Sequence, residues 1–450
     1  MYSTDNTFPV LKRQVVFLFV SSSLVLFSGS HPLMASEQLE QPMPRTSTNG
    51  AIHYQRAILF LYAVDPAKRE SLLKPVWEII TPDSSDEAIA EIDKLLIESR
   101  HTIRSALVGA DQTEADFGLD IRHYMVSSWL PYTEAMVDLG KLITLHGMER
   151  ESKKNWKEAV EIYLATLRMG RHMTHQTTLA EALVGVEILE TGYFALGHWA
   201  PHCPDTSLVD QALDQLNAMS RNMTDPGRTL LLEANILQMR LDAMQDAFPD
   251  GPWAEMMLES LGEAFPSDGP EGMRKAAIEA ATKRGVPKEA FNDKESFDRY
   301  VKELNSSFVQ MATESAQCMC HQSPNSIRQS ERVFGEYQPK LLKLGDTHTQ
   351  NPAKVAALFA VHEAELTVTR LILAISAART PQGFPEQLEV VADRFGGQLP
   401  RSPYDGSDLI YELLENGKGF SVQVKEANVG DIILPAIKFK HLPDKADMSS

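Results

Sequence analysis

Apolar residues recur at helical spacing along most of this chain, and that periodicity limits the fold more than any single motif does. After Ser84, Ser85 and Asp86, the residues Ile89, Ile92, Leu96, Ile103 and Leu107 fall on one stripe, with Ser84 or Ser85 placed to cap it. The same spacing predicts helices from Met136 to Leu145, Asn155 to Met173, Thr178 to Leu196, Leu208 to Met219 and Thr229 to Phe248. Asn351 and Pro352 form a cap and first-turn pair that opens a long helix to about Arg379, where Thr380 and Pro381 end it. The expected fold class is mainly α: an antiparallel helical array closed by a small C-terminal α+β hairpin cap.

The helices around Gly147 and from Trp156 to Tyr163 are similar to one tetratricopeptide hairpin, with Ala159 and Tyr163 at its packing positions. That repeat recurs at about 34 residues, and no second copy carries the signature. An ordinary antiparallel pair is the competing form.

Lys12 and Arg13 precede the apolar run Val15 to Phe27, which Ser21, Ser22 and Ser23 interrupt. This is the layout of a signal segment. The run falls short of the roughly 20 residues a spanning helix needs, so cleavage is expected, after Ser28-Gly29-Ser30 or, preferably, Leu33-Met34-Ala35. Membrane contact would follow only from an uncleaved segment. The expected division is a signal segment over 1–35, a flexible linker over 36–50, a helical array over 51–248, an irregular helical region over 249–350, a long helix plus cap over 351–442 and a flexible tail over 443–450. Gly251, Pro252, Pro266, Gly269, Pro270 and Gly272 mark the irregular region, where Trp253, Met256, Met257 and Leu258 are expected to pack into the core.

Charge narrows the partners. The chain carries 43 Lys and Arg against 61 Asp and Glu, a formal charge of -18, and removal of 1–35 leaves about -19. Such a field opposes phosphate backbones, so nucleic acid is not an expected partner.

After the long helix come Gly383-Phe384-Pro385, Leu399-Pro400, Pro403-Tyr404-Asp405-Gly406 and Gly417-Lys418-Gly419-Phe420. Physically this predicts a turn, a short helix after Pro385, and two strands, about 408–414 and 419–425, joined at Asn416-Gly417. The order of residues over about 352–425 resembles the C-terminal region of type II secretion pseudopilins. It is also similar to exported bacterial helical proteins of unassigned reaction that carry the same ending. The filament-forming N-terminus of a pseudopilin has no counterpart at Met1 to Ala35. Ser402 stands where the pattern has Asp, and Ser421 to Lys425 replace a calcium-holding ending, so the resemblance implies neither a filament subunit nor a calcium site.

Chemical candidates are few. Cys203, Cys318, Cys320 and His321, with His202 beside Cys203, supply thiolate and imidazole donors suited to zinc. In an oxidising compartment, a disulfide from Cys203 to Cys318 or Cys320 is the alternative. His172 and His175 read as a solvated helix end. His362-Glu363-Ala364-Glu365 lacks the second His of a zinc-protease helix, since position 366 is Leu, and its acids read as surface charge. No nucleophile elbow or phosphate loop occurs.

No catalytic or cofactor-binding residue is therefore expected and no cofactor, with zinc as the alternative. The leading expectation is a non-enzymatic exported scaffold that meets a protein or cell-envelope partner. The competing one is a hydrolase or metal-dependent enzyme with a site assembled from distant helices.

Overall fold

The computed structural model describes residues 48–64, 86–119, 130–176, 178–221, 226–232, 235, 236, 239, 275, 278, 279, 282, 287–319, 326–343 and 352–442. The signal segment, most of the linker, the Ser84 or Ser85 cap, most of the segment from Pro249 to Pro287, the tail, Cys320 and His321 lie outside the described residues. So does most of the end of the helix expected to reach Phe248.

The chain is mainly helical. Helices α1 (Gly50–Tyr62), α2 (Asp86–Glu98), α3 (Arg100–Ala110), α4 (Pro131–Ser152), α5 (Trp156–Thr174), α6 (Leu179–His202) and α7 (Thr206–Ser220) are followed by α8 (Lys294–Met319), α9 (Ser326–Lys343) and α10 (Pro352–Ala377). No described helix is long and apolar enough to cross a membrane.

Local signals explain the helix starts. Thr178 and Glu181 form a capping box at α6, with Thr178 Oγ1 accepting from the Glu181 amide at 3.2 Å and Glu181 Oε2 accepting from the Thr178 amide at 3.0 Å. Asp205 Oδ1 accepts from the amides of Ser207 and Leu208 at the start of α7. Asn49, at the end of the expected linker, caps α1 instead. The stripe read as one helix from Ile89 to Leu107 is two helices, broken at Ser99.

Helices α4, α5 and α6 pack on one another, α1 and α3 cover α4 and α5, and α10 lies against the other side of α6. Both α6 and α10 are buried on nearly every face, as a central helix must be. Each fully enclosed Leu or Ile there, such as Leu196 or Ile372, contributes roughly 1.5–3 kcal/mol.

Two close approaches set the spacing. A Cβ on Gly147 would lie 2.4 Å from Tyr163 Cε1, so only glycine leaves room for the Tyr163 ring between α4 and α5. A Cβ on Gly185 would lie 2.5 Å from the Thr174 amide nitrogen and 2.7 Å from the Gly170 carbonyl, which brings the α5 and α6 backbones together. Ala159 and Tyr163 are fully enclosed, as the hairpin reading places them, but repeat packing of the tetratricopeptide kind is not established by one hairpin.

Within the expected irregular helical region, helices α8 and α9 form a long hairpin, with α9 resting on α10. The C-terminal cap is an antiparallel sheet in the order β1 (Ile410–Leu414), β2 (Gly419–Val424) and β5 (Ile437–His441), with a separate ribbon of β3 (Ala427–Val429) and β4 (Ile432–Leu434). The expected turn is present: Glu415, Asn416 and Gly417 all have positive φ. Strand β5 alternates buried Ile437, Phe439 and His441 with exposed Lys438 and Lys440, and seats the sheet on α10.

Gly185→Ala should lower the unfolding free energy by about 1–3 kcal/mol in urea titration. Gly335→Ala, whose Cβ meets nothing within 4 Å, should leave stability unchanged or raise it by up to about 1 kcal/mol. Equal effects at the two positions would contradict the packing described.

Candidate metal centre

The last turns of α4 and α6 end side by side, and that placement creates the most chemically capable cluster of the described residues. Glu151 occupies the final turn of α4, and His198 and His202 stand one turn apart on α6, facing it. One ligand atom from each converges with the others, all three lying within 4.8 Å of one another. All three side chains are half-buried.

Neighbouring groups orient each donor. Tyr163, from α5, donates its hydroxyl to Glu151 Oε2 at 2.7 Å, which leaves Oε1 directed at His198. His198 Nδ1 lies 3.5 Å from that Oε1, beyond hydrogen-bond quality, and has no partner among the described residues. His202 Nδ1 sits 2.8 Å from the His198 carbonyl, so Nδ1 carries the proton and Nε2 keeps its lone pair free. The two rings stack at 5.0 Å.

The C-terminal cap forms the wall behind them. His441 of β5 meets His202 edge-on at 5.0 Å and also touches Phe384 and Phe420. Burial, then its neighbours His202, His198 and Arg379, hold His441 down at about 3, so it stays neutral. Arg379 donates Nη1 to the Pro201 carbonyl at 2.6 Å and Nη2 to the Cys203 carbonyl at 2.7 Å. A guanidinium there satisfies carbonyls that the end of α6 leaves open and complements the helix dipole.

The expected thiolate site is not what the described residues assemble. Cys203 and Cys318 are both free thiols and neither belongs to the converging group. Cys203 is buried in the turn after α6, its Sγ 3.6 Å from the Asp205 carbonyl. Burial pushes that thiol up to about 11. Cys318, on α8, is likewise raised by burial. With Cys320 and His321 outside the described residues, His202 is the part of that reading the cluster retains.

Other sequence readings change as well. His172 is 6% exposed rather than solvated, and its Nδ1 pairs with the Tyr54 hydroxyl at 2.8 Å. Glu363 is half-buried between helices rather than a surface charge, and burial raises its carboxyl above the usual range. The signal missed in the sequence was the His-x-x-x-His spacing at 198 and 202, which lies just past the expected end of its helix at Leu196.

Three protein donors with two imidazoles and one carboxylate suit zinc or a similar divalent transition ion. Metal bonds of about 2.0–2.2 Å would require the donor atoms to come within roughly 3.5 Å of one another, a closure of about 1 Å. Among the described residues the group numbers three donors. Comparison with protein families, with curated proteins and with solved structures gives no match for this chain.

Burial, followed by the Arg171 charge, lowers His172 to about 4. The unfolded chain therefore binds this proton near pH 6.5 while the folded chain refuses it, so stability is complete above that pH and falls as the pH drops toward 4. Urea midpoints measured from pH 7.5 to 4.5 should decline less steeply in His172→Asn than in the unmodified protein. Parallel profiles would show that His172 is not held neutral.

Proposed function

We propose that this protein is a metal-dependent enzyme of the hydrolytic class, holding zinc or a similar divalent ion through Glu151, His198 and His202. The observation that carries the reading is the convergence of their donor atoms within 4.8 Å, from two helices whose ends are fixed by other contacts. A zinc ion held by these three side chains would supply Lewis-acid chemistry toward water and carbonyl groups. The chain's own residues orient the donors: Tyr163 fixes one oxygen of Glu151, and the His198 carbonyl sets the tautomer of His202.

Export belongs to the same proposal and rests on Lys12, Arg13 and the apolar run to Phe27. So does kinship with exported bacterial helical proteins, through the residue order over 352–425. A second reading, the non-enzymatic scaffold, is favoured by one observation: Ile52, Leu59 and Tyr62 stand exposed along α1.

Elemental analysis of the full chain after dialysis against zinc should find one equivalent bound. His198→Ala with His202→Ala, and separately Glu151→Gln, should weaken zinc binding by about 10-fold or more, while Cys203→Ser and Cys318→Ser retain it. Failure to retain zinc, or loss in the cysteine variants but not in the histidine pair, would overturn the assignment.

A further inference from the structure

A cleft of about 540 Å³ opens between α2, α3 and the C-terminal half of α4, on residues the metal centre does not use. One side is apolar, formed by Leu96, Ile97, Leu107 and Val108, and two of these are unusually open: Ile97 is 61% and Val108 38% exposed. The volume lies in the range of small-ligand sites.

The charged lining is unevenly satisfied. Lys153 bridges Asp93 at 2.9 Å and also pairs with Glu149. Arg150 pairs with Glu149 at 3.1 Å and with Glu158 at 3.5 Å, and Asp111 is held by Arg168 at 2.7 Å. The cleft's carboxylates are thus each engaged by a cation. Arg100 and Arg104, one turn apart on α3 and both exposed, have no hydrogen-bond or ion-pair partner among the described residues. The lining holds four Lys and Arg against three Asp and Glu, in a chain whose formal charge is -18. A local excess of positive charge beside an apolar wall, on so acidic a protein, matches one kind of ligand.

We propose that this cleft binds a small amphipathic anion, with its apolar body against Leu96, Ile97, Leu107 and Val108 and its carboxylate or phosphate head between the Arg100 and Arg104 guanidiniums. Guanidinium forks match both head groups, and among the described residues neither arginine has to leave another partner to engage one. The apolar wall supplies area-dependent attraction that a bare inorganic anion cannot use. The inference does not depend on the metal reading.

Calorimetric titration of the full chain with decanoate and with decyl phosphate tests it. At least one should bind at a single site, and Arg100→Ala with Arg104→Ala should weaken that binding by about 10-fold or more. Because both arginines are exposed, the double variant should keep its thermal midpoint, which separates lost binding from lost folding. Decanol, acetate and inorganic phosphate should each bind at least 10 times more weakly than the amphipathic anion, by roughly the same reasoning. Glu151→Gln should leave the titration unchanged. Absence of binding by both probes, equal binding by the double variant, or decanol binding as tightly as decanoate would overturn the proposal.

Discussion

Backbone contact at Gly170 and Gly185 fixes how α5 and α6 lie on each other, and the cluster at the far end of α6 inherits that geometry. From Gly185 to His198 the helix runs for roughly 20 Å at 1.5 Å per residue. Slipping α6 by one residue would rotate both histidines by about 100° and carry them away from Glu151. The Thr178 and Glu181 capping box sets the start of the helix, and Tyr132 adds a 2.5 Å hydrogen bond from its hydroxyl to Glu181 Oε1. At the other end Arg379 grips the carbonyls of Pro201 and Cys203. The helix is thus held at its start, its middle and its finish.

Much of this was legible because the signals are local. Thr178 and Pro352 mark helix starts within one residue of where they occur, since caps and first-turn prolines act over a single turn. Asn416 and Gly417 announced their turn because few other residues tolerate its positive φ. Strand β5 was equally readable, as Ile437 to His441 alternate cleanly, yet the reading stopped at Lys425. The bounds of α8 and α9 are hidden by the Gly and Pro density of the segment before them, which reads only as an irregular helical region.

The candidate centre was half legible. His198 and His202 share a helix face by spacing alone, which a sequence can reveal. Glu151 cannot be chosen by spacing among 61 acidic residues, because what selects it is the packing of α4 against α6. The same reason hid His172, whose partner Tyr54 stands 118 residues away. Cys203 offers a soft donor beside His202 in sequence, but the fold buries it among apolar side chains and leaves it outside the converging group.

The cap closes on the end of α6 across long stretches of chain. Arg379 reaches a carbonyl 178 residues earlier, and His441 belongs to the last described strand. Contacts so distant along the chain carry a large loop-closure cost and form slowly. A chain emerging in order from the ribosome holds Glu151, His198 and His202 long before it holds their wall. Any metal taken up by the proposed centre would meet an open cluster before the final strand arrives, and one backed by His441 after it.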